Sequence, residues 1–282
     1  MNLIQAILMG IVQGLSEFLP ISSSAHLVFT SNFYKVMQNI PIVQSSSEEV
    51  FFDIMVHLGT LIAVLIFFRK DVLNILKAMW HAIKTKDWSD KEAKLGLYIV
   101  VGTILTIILA LPINEVAEKL VFRPDIVGGL LFITGFTLLY SEYKSKKLEE
   151  KKDNVDLKTS VFIGLAQGLA ALPGFSRSGW TIATGLFMGL DRVTAARYSF
   201  LLSIPIILGA SMVYPLVKID VHEALTYNWT AIWTGTIVSG IVGYLCIKYF
   251  MKFISKFSLA IFGYYCILAG LGAVAFFSYY GK

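Results

Sequence analysis

The chain has 282 residues, of which 56% are hydrophobic and 15% charged, with a formal net charge of +5. A mean hydropathy of +0.70 suits a polytopic membrane protein and not a water-facing domain. The Lys and Arg residues gather in two short segments between apolar runs, so the charge reads as membrane orientation and no nucleic-acid partner is expected.

The first apolar stretch begins at Leu3 without a basic leader or an Ala-x-Ala site, and reads as mature structure rather than a cleaved signal. It carries Gly10-Ile-Val-Gln13-Gly14-Leu15, followed by Glu17, Pro20, Ser22, Ser23, Ser24 and His26. Pro20 and the serine run break it into two short helices. Six later stretches approach the roughly 20 apolar residues that a helix needs to cross a bilayer. They lie at about 50–68, 95–113, 126–143, 198–217, 231–250 and 257–280.

Between the first two crossings, Arg69, Lys70, Lys77, Lys84, Lys86, Lys91 and Lys94 mark a basic loop, and 144–158 is again Lys-rich. Both are expected on the cytoplasmic side. Segments 114–125 and 218–230 carry few basic residues and are expected outside, with Lys248, Lys252 and Lys256 back at the inner face. Cys246 and Cys266 lie inside apolar runs as packing residues, and no disulfide is expected. Gly235, Gly240 and Gly243 could pack helices within one chain or between two copies in a homodimer.

The opening motif returns as Gly164-Leu-Ala-Gln167-Gly168-Leu169, followed by Pro173-Gly-Phe-Ser176-Arg177-Ser178-Gly-Trp180. With the crossings alternating, residues 1–48 begin and end outside, whereas 159–192 begin and end inside. The expected architecture is an all-α polytopic integral membrane protein with six transmembrane helices plus two re-entrant helical hairpins in an inverted repeat. It forms a single membrane domain, repeats 1–143 and 159–282 joined by the basic cytoplasmic loop 144–158. Broken helices at membrane depth must be buried in protein or line a wet cavity, so the two turns should meet at a binding site near the midplane.

Ionisable groups in such apolar surroundings point to that site. Gln13 and Glu17 share a helix face and could both reach a cation or a water, or could simply hydrogen-bond across a helix interface. One carboxylate and one amide make a weak cage for Mg²⁺ or Ca²⁺ until a diphosphate completes it. Arg177 between Ser176 and Ser178, just before a helix, has the features of an anion clamp: a guanidinium fork, hydroxyls and helix N-terminal amides. Ser22, Ser23 and Ser24 repeat that arrangement without the arginine, although serines there are also ordinary N-caps. His26 can serve as general acid or base, or assist a serine hydroxyl. Asp53 and His57 could support the same site or belong to a helix interface.

The stretch from Gln13 to His26, with Pro173-Gly-Phe-Ser176-Arg177-Ser178-Gly-Trp-Thr181, resembles the undecaprenyl-diphosphate phosphatase family, the bacitracin-resistance proteins. The resemblance spans essentially the whole chain, including His57-Leu-Gly59-Thr and Ser199-Phe-Leu-Leu-Ser203-Ile-Pro205. It implies metal-dependent hydrolysis of a C55 polyprenyl diphosphate lipid to its monophosphate and inorganic phosphate, recycling the carrier for cell-wall polymers, in the plasma membrane. It also implies that Glu17, Ser23, His26 and Arg177 are catalytic. Ser22, Ser176, Ser178 and Thr181 then support them at the substrate. From the pattern itself Gln13 and Ser24 are further expected substrate contacts, and Glu17 is expected to hold the metal together with the substrate phosphate, Gln13 being a candidate additional ligand. That family accepts Glu or Gln at the leading position, so Gln13 is an allowed variant. Two routes stay open: attack by Ser23 with His26 as base, or direct activation of water by His26 and Glu17. A midplane cavity also suits a transporter or flippase of polyprenyl phosphate. The type-2 phosphatidic-acid-phosphatase motif set is not found, since no histidine follows Arg192 and Arg197 until His222.

Overall fold

The computed structural model describes residues 1–38, 42, 46–218 and 221–280. Among these the chain is helical throughout, with one isolated β-bridge between Lys152 and Leu190. The helices are α1 (Leu3–Ser16), α2 (Ser23–Met37), α3 (Ser47–Phe67), α4 (Arg69–Thr85), α5 (Lys91–Leu120) and α6 (Pro124–Lys146). They continue as α7 (Leu157–Leu169), α8 (Arg177–Phe187), α9 (Arg192–Lys218), α10 (Val221–Ala224), α11 (Trp229–Ile254) and α12 (Ala260–Tyr280). Six of them, α3, α5, α6, α9, α11 and α12, are long and apolar enough to cross a membrane, and they coincide with the six apolar stretches. At 14, 15, 13 and 11 residues, α1, α2, α7 and α8 are each too short for that.

Local chemistry sets the helix starts. Ser46 and Glu49 form a capping box before α3, Asp90 accepts from two amides of α5, and Asp156 accepts from the Thr159 amide at 2.7 Å to start α7. Two expectations change. Segment 114–120, expected as an outside loop, continues α5 past Pro112, and Asn114 Nδ2 donates to Glu118 Oε1 at 3.0 Å along the polar last turns. The first basic loop contains a helix of its own, α4. Of the outside segment 218–230, residues 219 and 220 lie outside the described residues.

Helix pairing repeats between the two halves. α1 packs on α11 and α7 packs on α5, each through the glycines of the repeated motif. A Cβ on Gly10 would stand 2.6 Å from the Gly235 carbonyl, and one on Gly164 2.7 Å from that of Gly102, so both helices touch backbone to backbone. α6 and α12 cross in antiparallel sense, Gly128 on Gly270 and Gly135 on Gly263. The largest core cluster joins α3, α9 and α11 around Phe18, Tyr198, Phe200 and Phe250.

The basic segments lie at one end of the bundle. Lys91 and Lys94 share a cavity wall with Asp153, Asp156 and Arg197. Arg192 donates twice to Glu142, at 2.8 and 2.6 Å, and Glu142 also accepts from the Leu259 amide, joining α6, α9 and the α11–α12 turn. At the other end, the Asn228 amide before α11 donates to Glu48 of α3.

Candidate active site

The first turn covers residues 17–22, between α1 and α2, and is pinned by Phe18, buried edge-on against Phe200 at 5.4 Å between centroids. Ser22 caps α2 through Oγ, accepting from the Ala25 amide at 3.3 Å, with φ at +70°. A non-glycine residue in that region costs about 1–3 kcal/mol, which the surrounding contacts must offset. The second turn, residues 170–176, bends at Gly174 with φ +102°, where a Cβ would stand 2.5 Å from the Val127 carbonyl. Buried Thr134 of α6 holds this turn: its hydroxyl donates to the Gly174 carbonyl at 3.2 Å and accepts from Trp180 Nε1 at 3.2 Å. Ser176 then caps α8, accepting from the Gly179 amide at 3.0 Å, so Arg177 is the first helical residue.

The two turns touch. Ser178 Oγ donates to the Leu19 carbonyl at 3.0 Å, and Arg177 Nη2 donates to Glu17 Oε1. The other oxygen of this buried carboxylate, Oε2, accepts from Gln13 Nε2 at 3.0 Å and from Ser23 Oγ at 2.6 Å, with His57 Nε2 at 3.7 Å. Glu17 is thus the hub that binds both turns and α3. Two polar atoms beside it are buried without a partner: Arg177 Nη1, a donor, and Gln13 Oε1, an acceptor. A buried unsatisfied group is costly, so Arg177 Nη1, whose residue lines the adjoining cavity, is a natural contact for a bound ligand.

Glu17, Ser23, Ser24, Asp53, His57 and Arg177 line one cavity of about 430 Å³. Its remaining wall is largely apolar, from Val50 and Ile54 of α3, Phe175, and Ile206, Ile207 and Ala210 of α9. α2 and α8 both begin at this cavity, where their first amides lack intrahelical partners. Helix N-termini, Arg177 and Ser23 around one space suit an anion attached to an apolar chain.

His26 is placed differently from the expectation of a base beside Ser23. Its Nδ1 faces the Ser22 carbonyl at 2.8 Å, which makes Nδ1 the protonated nitrogen, and Nε2 pairs with the Tyr265 hydroxyl at 2.7 Å on α12. The two rings stack at 5.7 Å. Ser23 is hydrogen-bonded to Glu17 instead. The imidazole facing Glu17 belongs to His57, whose Nδ1 donates to the Asp53 carbonyl at 2.6 Å.

Ser24 lies 3.2 Å from Ser22 Oγ, and Ser176 is a cap. Thr181 stands back from the cavity, donating to the Arg177 carbonyl at 2.7 Å and pairing with Ser199 at 2.6 Å, so it fixes α8 on α9. Tyr265 and Thr134 carried no sequence signal, since hydroxyl side chains recur along α6 and α12 and nothing in the sequence singles these two out.

Among the described residues no three His, Cys, Asp or Glu form a metal cluster, so the protein alone offers no cage. The carboxylates of Glu17 and Asp53 on this wall fit a hard cation held largely by a phosphate ligand, while Gln13, hydrogen-bonded to Glu17, is fully buried and outside the cavity lining.

Comparison with known proteins agrees over nearly the whole chain. Residues 6–272 match the family described as bacitracin resistance protein BacA. A relative from Methanobrevibacter smithii, named undecaprenyl-diphosphatase, is 42% identical over 280 residues, covering 96% of each chain. One of the same name from Methanosphaera stadtmanae is 39% identical over 281 residues, again covering 96% of each. Undecaprenyl-diphosphatase 1 of Pseudoalteromonas translucida is 37% identical over 276 residues, covering 98% of this chain and 99% of its own.

Proposed function

This chain belongs to the bacitracin resistance protein BacA family, and from that premise we propose that it hydrolyses undecaprenyl diphosphate to undecaprenyl phosphate and inorganic phosphate. The reading is supported most by one arrangement: Ser23 Oγ hydrogen-bonded to Glu17 at 2.6 Å beside an Arg177 whose Nη1 has no protein partner. The diphosphate occupies the polar part of the cavity, and the prenyl chain leaves along Val50, Ile54 and Ile207 into lipid.

Ser23 Oγ attacks the terminal phosphorus and its proton passes to Glu17 Oε2. As the Oγ–P bond forms, the bond from phosphorus to the bridging oxygen breaks, and undecaprenyl phosphate departs with that electron pair. Arg177 Nη1 and the first amides of α2 and α8 hold the phosphoryl oxygens, where charge spreads in the transition state. Water then cleaves the Ser23 phosphoester and restores the hydroxyl. Glu17, with Gln13 as a candidate further ligand, would hold a divalent cation such as Mg²⁺ or Ca²⁺ together with the substrate, and the cation would supply charge neutralisation at the phosphates. His26, engaged by Tyr265, orients the start of α2.

The chain spans a membrane several times, and we place it in the plasma membrane. α1–α2 and α7–α8 are re-entrant hairpins of inverted sense whose tips meet at Glu17 and Arg177. The basic end faces the cytoplasm, as the Lys-rich loops require.

The test is phosphate release from a prenyl diphosphate by purified protein with and without chelator. We expect metal-dependent release that Ser23→Ala abolishes while thermal unfolding is unchanged. Near-normal release by Ser23→Ala would favour direct attack by water. No release by the wild type under any metal would overturn the hydrolase reading in favour of a transporter.

A further inference from the structure

α4 presents three distinct rows. Ile75 and Ala82 are buried, and Met79 packs with Ile75 at Gly96 of α5, fixing the helix along the basic end of the bundle. Leu73, Leu76, Trp80 and Ile83, spaced to share a face, are 53%, 58%, 62% and 58% exposed. Beside them run Lys70, Lys77 and Lys84, all exposed. The Lys84 ammonium lies 4.7 Å from the Trp80 ring centroid. On the opposite edge Asp71 accepts from Arg197 of α9 at 2.7 Å, which anchors α4 to the bundle. Among the described residues none of these three lysines forms an ion pair.

An exposed row of Leu, Trp and Ile is unfavourable in water but suits the boundary between headgroups and acyl chains, where an amphipathic helix lies flat and lysines reach up to the phosphates. The unpaired positive row selects the occupant by charge. We propose that α4 is an interfacial binding surface for anionic phospholipids. Leu73, Leu76, Trp80 and Ile83 sit among acyl chains, while Lys70, Lys77 and Lys84 hold headgroup phosphates. This rests on the membrane placement of the chain and not on its chemistry, so it can fail while the hydrolase reading stands.

The experiment uses the full chain in nanodiscs containing either dibrominated phosphatidylglycerol or dibrominated phosphatidylcholine at equal mole fraction. Trp80 quenching is read as wild type minus Trp80→Phe, which removes the contribution of the other tryptophans. Brominated phosphatidylglycerol should quench Trp80 about twofold more than brominated phosphatidylcholine, an excess that high salt removes. The triple variant Lys70→Gln/Lys77→Gln/Lys84→Gln should lose that excess, with phosphate release and thermal unfolding as in the wild type. Equal quenching by the two lipids in the wild type, or an excess that survives the triple variant, overturns the proposal. Absence of quenching by either lipid overturns it too, and in a dimeric particle would assign the apolar row to a second copy.

Discussion

Arg177→Lys isolates the guanidinium fork from its charge. In the wild type Nη2 is committed to Glu17, and Nη1 is buried with no protein partner. A lysine ammonium can keep the ion pair with Glu17, yet it is a single point that cannot also reach a phosphoryl oxygen held in the direction of Nη1. Removing one preorganised donor to a developing charge typically costs about 10²–10³ in kcat, or roughly 3 kcal/mol. Because the positive charge remains, substrate attraction is largely kept and the loss should fall on kcat more than on KM. The ion pair to Glu17 also remains, so thermal unfolding should move little. The assay is phosphate release from a prenyl diphosphate across a range of substrate concentrations, with unfolding of the same preparation followed in detergent. A variant within about threefold of wild-type kcat would refute the assignment of Nη1 to the transferred phosphate.

His57→Ala removes a cavity-wall imidazole whose Nε2 is 3.7 Å from Glu17, and should cost about tenfold in kcat/KM, with most of it regained by His57→Gln, which restores a polar head of similar reach. Equal loss in both variants would deny that polar role. Glu142→Ala strands Arg192 and the Leu259 amide, and should destabilise the fold by about 3 kcal/mol with kcat unchanged in the folded fraction; an unshifted unfolding curve would contradict the clamp. The Thr159 amide, with Lys152 Nζ donating at 2.9 Å, holds the Asp156 carboxyl down at about 2, from an ordinary 3.8. With the folded value depressed, that stabilisation is complete above about pH 4 and lost as pH falls through about 2. Asp156→Ala should therefore lower stability by about 1 kcal/mol near pH 7, a deficit that shrinks on acidification. A deficit independent of pH would rule out the charged cap.

The six crossings were legible because each is a continuous apolar run, and the two turns because Pro20, Pro173 and Gly174 interrupt the helical pattern and serines follow as N-caps of a new helix. Glu17 and Arg177 stood out as charges in apolar surroundings, and the structure brings them together across 160 positions of sequence, one from each repeat. What periodicity could not supply were contacts between distant helices. His26 near Ser23 in sequence suggested a base, but Tyr265 of α12 takes its free nitrogen. His57 gave no sign of which face it turned to Glu17, and one threonine, Thr134, steadies the second turn from within α6. α4 was hidden because its lysines made the segment look like a plain basic loop, although its apolar residues recur at helical spacing. Polar residues after Pro112 likewise suggested an end to α5, whereas side-chain pairing carries the helix to Leu120.

The most direct measurement is a double-mutant cycle on phosphate release with Glu17→Gln, Arg177→Gln and the two combined. Groups that act as one unit across the meeting of two turns are strongly non-additive, so the combined variant should be no slower than the worse single variant, to within about threefold. If the two losses in kcat/KM multiplied as those of independent residues, Glu17 and Arg177 would not share a site and the account would be wrong.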